Sequence, residues 1–105
     1  MITTQVTDAG RGIPAYRLQV QLDAFITGHG WREVGHGLTN SDGHVTEFGE
    51  PEAAGIYRLM FDVAGYSSDA FFPTIAITFE VKDPGARYHI PLVLSPFGYS
   101  TYRES

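Results

Sequence analysis

The sequence predicts an all-β chain: an antiparallel two-sheet β-sandwich with one short helix. Three observations point there. Short runs alternate apolar and polar residues with a period of two, the pattern of a strand with one wet face. Twelve glycines and six prolines are spread along the chain rather than pooled in a linker, so turns punctuate it throughout. The runs recur at short spacing within 105 residues. That suits a sandwich and a single domain over 1–105.

Residues 2–7 read as a first strand, with Val6 toward the core and Thr3, Gln5 and Thr7 outward. Asp8-Ala9-Gly10-Arg11-Gly12-Ile13-Pro14 is a turn-rich loop. In 16–25, Leu18, Val20, Leu22 and Ala24 share one face, while Arg17, Gln19, Gln21 and Asp23 share the other. Thr27-Gly28-His29-Gly30 reads as a hairpin connection into a strand over 31–39, with His29 and His36 as loop residues in or near it. Asn40-Ser41-Asp42-Gly43 is another turn, in which Gly43 is free to take positive φ. Residues 47–52 form an acidic loop, and 56–62 put Tyr57, Leu59 and Phe61 on one face. Residues 63–69 read as the short helix, weakened by Gly65. Strands follow over 74–82, 88–95 and 99–103, the last two split by the Pro96-Phe97-Gly98 turn. These final strands are short, apolar and uncovered by a helix, an edge that tends to pair with another chain.

A net charge of −5 and a pI near 5.1 argue against a nucleic-acid partner. The lack of cysteine excludes disulfides, thiolate zinc sites and a cysteine nucleophile, and suits a cytoplasmic setting. No apolar run is long enough to span a bilayer, and the first residues lack a secretory pattern. No membrane partner is therefore expected. The four histidines lack close ligand spacing, so no metal is expected, and no Gly-rich phosphate loop points to a cofactor.

The end of the chain is more specific. It reads Arg87-Tyr88-His89-Ile90-Pro91-Leu92 and closes on Tyr102-Arg103-Glu104-Ser105. This resembles the transthyretin-related proteins, the 5-hydroxyisourate hydrolases, which carry His-Tyr-His-Val-Pro-Leu followed by a terminal Tyr-Arg-Gly-Ser. Thr7-Asp8 with Gly12-Ile13-Pro14-Ala15, Trp31, Thr39-Asn40-Ser41-Asp42-Gly43, Gly55-Ile56-Tyr57 and Phe71-Phe72-Pro73 match in order, so the resemblance covers essentially the whole chain. It implies strand-paired dimers, a tetramer made of two dimers, and a channel between dimers whose sites draw on more than one subunit.

The departures bear on function. The family's first-strand histidine is replaced by Gln5, and its arginine after the Asp-Gly turn by His44. His89 is retained, Arg87 replaces the other histidine of that segment, and Glu104 replaces the terminal glycine. Family hydrolysis is water attack on a carbonyl of a strained purine-derived ring. It needs a base, a donor for the oxyanion and groups that hold a flat polar substrate. Gln5 cannot usefully take a proton but can both donate and accept hydrogen bonds. Histidine at position 44 lacks the guanidinium fork, and histidine is a residue type that titrates near neutrality.

The expected catalytic residues are His89 and His44. The resemblance adds Gln5, Tyr102, Arg103 and Ser105 as substrate-binding residues. Three functions follow. One is an enzyme repurposed for another small cyclic carbonyl or amide compound, opened, closed or rearranged by acid–base catalysis. A second is hydroxyisourate hydrolysis with an altered catalytic set. A third is a binding protein that does no chemistry, as transthyretin is.

Overall fold

The computed structural model describes residues 1–46 and 48–104. Nine strands and one helix follow in order: β1 (Ile2–Asp8), β2 (Ile13–Pro14), β3 (Gln19–Ile26), β4 (Gly30–Leu38), β5 (His44–Val45), β6 (Gly55–Asp62), α1 (Val63–Tyr66), β7 (Thr74–Val81), β8 (Tyr88–Ser95) and β9 (Gly98–Thr101). They form two sheets. One runs β2-β1-β8-β9, with β5 also on β1; the other runs β4-β3-β6-β7.

The expected sandwich is present. All strand pairs are antiparallel except β1 with β8, which run parallel from Ile2↔Tyr88 to Asp8↔Leu94. Alternation sets the core. Ile2 and Val6 of β1, Val20 and Leu22 of β3, Tyr57, Leu59 and Phe61 of β6, and Ile90 and Leu92 of β8 are buried between the sheets. Each such large side chain contributes about 1.5–3 kcal/mol on burial.

Several boundaries differ from the sequence expectation for local reasons. Strand β3 begins at Gln19 rather than Tyr16, because Arg17 sits at a φ of 63° and breaks the extended run. The chain is tied there instead by Thr39, whose hydroxyl accepts from the Leu18 N–H and donates to the Ala15 carbonyl. His36 lies within β4 rather than in a loop, with Nδ1 3.0 Å from Glu33 Oε2. Helix α1 stops at Tyr66 instead of reaching 69. The Asp62 carboxylate caps the Gly65 N–H at 3.0 Å, and a Cβ at position 65 would push that carboxylate aside. The acidic loop expected over 47–52 is described except at 47.

The outer face of the second sheet carries a buried ion pair. Arg58 donates through Nε and Nη2 to Asp23 Oδ2, at 3.1 and 2.8 Å. Gln21 Nε2 donates to the other carboxylate oxygen at 2.8 Å, and the guanidinium lies 4.1 Å over the Trp31 ring. Asp23 is only 1% exposed, so these donors replace the water it has lost.

Candidate active site

The parallel β1–β8 pair builds the site. Ile2, Thr4 and Val6 point inward, so Thr3 and Gln5 point outward. On β8, Tyr88 and Ile90 are buried and His89 lies on the outward face between them. The register sets Thr3 opposite His89, and Thr3 Oγ1 shares a 2.7 Å hydrogen bond with His89 Nδ1.

The Asp42-Gly43 turn brings His44 to the same face. Gly43 has a φ of 81°, a conformation that disfavours any side chain. A Cβ there would also collide with the Val6 carbonyl oxygen. The turn is pinned to β1 by the Val6 N–H donating to the Gly43 carbonyl at 2.8 Å, and by Asn40 Oδ1 accepting from the N–H groups of Asp42 and His44. The two-residue strand β5 then sets His44 opposite Gln5.

The His44 and His89 rings meet edge to face, with centroids 6.1 Å apart and planes at 76°. They line a cavity of about 360 Å³ together with Met1, Thr3, Thr46, Arg87 and Glu104. Glu104 is drawn in beyond β9: its N–H donates to the His89 carbonyl at 2.8 Å. Burial holds His89 below the usual histidine range. Glu104 pulls it back up, while His44 and Arg87 push it further down.

The other expected site residues lie around this centre. Gln5 is the cross-strand neighbour of His44, and its Nε2 is 3.5 Å from the Asp42 carbonyl. Arg103 stacks its guanidinium 4.3 Å over the Tyr88 ring and donates from Nη2 to the Arg87 carbonyl at 3.1 Å. Tyr102 is exposed. Ser105 lies outside the described residues. Sequence reasoning did not single out Met1 or Thr46 as lining residues. Thr46 follows a strand too short to show periodicity, and Met1 reaches the site only through the β1–β8 pairing. Among the described residues no group of three or more His, Cys, Asp or Glu is placed to hold a metal ion.

A larger cleft, about 610 Å³, lies at the far end of β1 among residues such as Asp8, Arg11, Tyr66 and Phe97. Its polar centre is the Tyr66 hydroxyl donating to Asp8 Oδ2 at 2.8 Å. Burial, and then Asp8, push Tyr66 above its ordinary range, so the phenol stays protonated and acts as a clamp. The smaller cavity is the better candidate because two imidazoles converge in it.

Fold and site together define a transthyretin-like β-sandwich with a histidine pair on the open face of one sheet. The sequence model of the HIUase/Transthyretin family matches residues 2–104, and the chain belongs to that family. It is 38% identical to a 5-hydroxyisourate hydrolase of Deinococcus radiodurans, covering 99% of this chain and 95% of that one. It is 34% identical to the Salmonella dublin 5-hydroxyisourate hydrolase, covering 100% and 81%. It is also 38% identical to the Arabidopsis thaliana uric acid degradation bifunctional protein, covering 99% of this chain but spanning only 37% of that protein. Among solved structures, (S)-allantoin synthase superposes with a TM-score of 0.87 at 30% identity, over 99% of this chain and 43% of that one. Sea bream transthyretin in complex with thyroxine superposes with a TM-score of 0.90 at 25% identity, over 98% and 93%.

Proposed function

We propose that the chain is an enzyme acting on a small cyclic carbonyl or amide compound by general acid–base catalysis, in a site completed by further copies of the chain. The observation that carries this reading is the convergence of His44 and His89, distant in sequence, on one cavity with rings 6.1 Å apart.

In the ring-opening direction, water adds to the carbonyl carbon and gives its proton to His89. The C–N bond then breaks, the ring nitrogen takes a proton from a histidine, and a carboxylic acid and a free N–H remain. Ring closure is the reverse. Burial lowers the His89 pKa and so favours the neutral ring, the form a base needs. His44 is the second proton carrier. Gln5 beside it offers a donor and an acceptor that match an amide edge. Tyr102, Arg103 and Ser105 hold the substrate once copies assemble.

The assembly in this reading is a homotetramer built from strand-paired dimers. Its support is an edge of each sheet, β7 and β9, left unpaired among the described residues, with exposed aromatics clustered where both strands begin. Phe71 packs on Phe97 and Phe72 on Tyr99, at 6.2 and 5.4 Å between centroids, and Phe97 is 79% exposed. Such a patch at the start of two open edges suits a second copy. A single domain over 1–105 and a cytoplasmic setting belong to the same reading. The family match over 2–104 supports the first, and the lack of cysteine the second. No helix among the described residues is long and apolar enough to cross a membrane.

A second reading is 5-hydroxyisourate hydrolysis itself. The names of relatives at 34–38% identity favour it. The experiment follows 5-hydroxyisourate, generated in place, by ultraviolet absorbance with and without protein, then extends to cyclic ureides and imides. Conversion of a ring compound supports the enzyme. A compound that is recovered unchanged while raising the melting temperature would make this a binding protein and overturn the reading.

A further inference from the structure

We propose that Thr3 is the positioning residue for His89: its hydroxyl oxygen accepts from the ring Nδ1–H, so that Nε2 carries the free lone pair toward the cavity. This rests on the acid–base reading above and assigns a role to a residue outside the expected catalytic set.

The geometry is direct. Thr3 and His89 are opposed across the parallel β1–β8 ladder, so both side chains emerge on one face. The contact is 2.7 Å, short for a hydrogen bond to nitrogen. Both residues line the cavity, and with Nδ1 engaged by Thr3, Nε2 is the nitrogen left to act there. Thr3 is itself held in place. Its neighbours Ile2 and Thr4 are fully buried, and the Thr4 hydroxyl donates to the Ile90 carbonyl at 2.6 Å. A neutral imidazole carries one ring proton, and the partner of one nitrogen decides which nitrogen is free. When Nε2 takes a proton, Nδ1–H remains and the bond to Thr3 strengthens as the ring becomes charged. The hydroxyl therefore serves the base before and after transfer. The charged and titratable groups around the ring are His44 from β5, Arg87 ahead of β8, Glu104 beyond β9 and the Met1 ammonium, which is itself paired with Glu50 at 2.8 Å.

The test reads the ring itself. Two-bond proton–nitrogen NMR on the full-length protein, above the pH where His89 titrates, distinguishes the tautomers without any substrate. Wild type and Thr3→Ser are expected to hold the Nδ1–H form. Thr3→Val keeps the β-branched strand residue but removes the hydroxyl, and shifts His89 toward the Nε2–H form. On a compound that wild type converts, Thr3→Val lowers kcat on the order of ten- to a hundredfold, as for other groups that orient a functional histidine. KM changes little and Thr3→Ser recovers the rate. A wild-type ring in the Nε2–H form would overturn the proposal even if no variant folded. So would a Thr3→Val ring unchanged in tautomer. Either result leaves the acid–base reading standing, because that reading falls only on the turnover measurement.

Discussion

Gln5 and His44 lie directly opposite one another where β1 pairs with β5. Opposed residues of an antiparallel pair project on the same face. Gln5 and His44, two of the positions expected to depart from the hydrolase pattern, therefore form one local surface beside the His89 ring.

That adjacency makes the departures separable by exchange. Gln5→His combined with His44→Arg supplies the residue types that the resemblance expects at these positions, on a backbone that already sets them side by side. Hydroxyisourate decay, followed by absorbance, should accelerate on the order of 10²–10⁴-fold over wild type, the value of a positioned acid–base group. Each single exchange should give less than the pair. No gain in the double variant would mean that the substitutions do not control this reaction.

The pH dependence has a definite sign. His89 titrates below the ordinary histidine range in the folded chain, chiefly through burial. As pH falls through about 6.5, the unfolded chain takes up the proton first. This group's contribution to stability is therefore present above that pH and lost as pH falls toward the folded value. Activity that needs neutral His89 should have its acid limb at lower pH than an ordinary histidine would give. Glu104 raises the ring, so Glu104→Gln should move that limb to still lower pH. A limb that moves upward in a pH–rate profile would contradict the assignment.

The pair on the outer face should respond asymmetrically. Removing Arg58 leaves a carboxylate stranded at 2% side-chain exposure, whereas removing the charge of Asp23 leaves a guanidinium that is 24% exposed and can reach water. Arg58→Met should cost about 3–5 kcal/mol, and Asp23→Asn less, as read from chemical denaturation midpoints. The reverse order would show that the guanidinium is the more dependent partner.

Gly43 should be costlier to substitute than other glycines of similar φ. Gly12 and Gly28 also sit at positive φ, but a Cβ there meets nothing within 4 Å. Alanine at those positions should cost about 1–2 kcal/mol from the backbone alone. Gly43→Ala adds a collision with the Val6 carbonyl, displaces β5, and so shifts His44. Its loss in melting temperature should exceed that of Gly12→Ala and be accompanied by lost turnover.

Much of this was legible in the sequence, because alternation marks long strands with one buried face. The runs that became β6, β7 and β8 have near-identical bounds in the structure, and the outward side of His89 follows from Tyr88 and Ile90 alone. Strands β2 and β5 were not legible. Two residues carry no period, and both lie among turn formers. Parallel pairing of the first and eighth strands is a tertiary choice that periodicity does not encode. The Thr3–His89 contact depends on it, as does the presence of Met1 around the cavity. The resting place of Arg103 over Tyr88 was equally hidden, since a side chain past the last strand has no register to read.

The most direct measurement is turnover of 5-hydroxyisourate and a panel of cyclic ureides by wild type and His89→Ala, matched for oligomeric state and melting temperature. Wild type should convert at least one of these compounds, and the substitution should slow that conversion about 10²–10⁴-fold. Equal rates in the two proteins would mean that the ring in the cavity performs no chemistry.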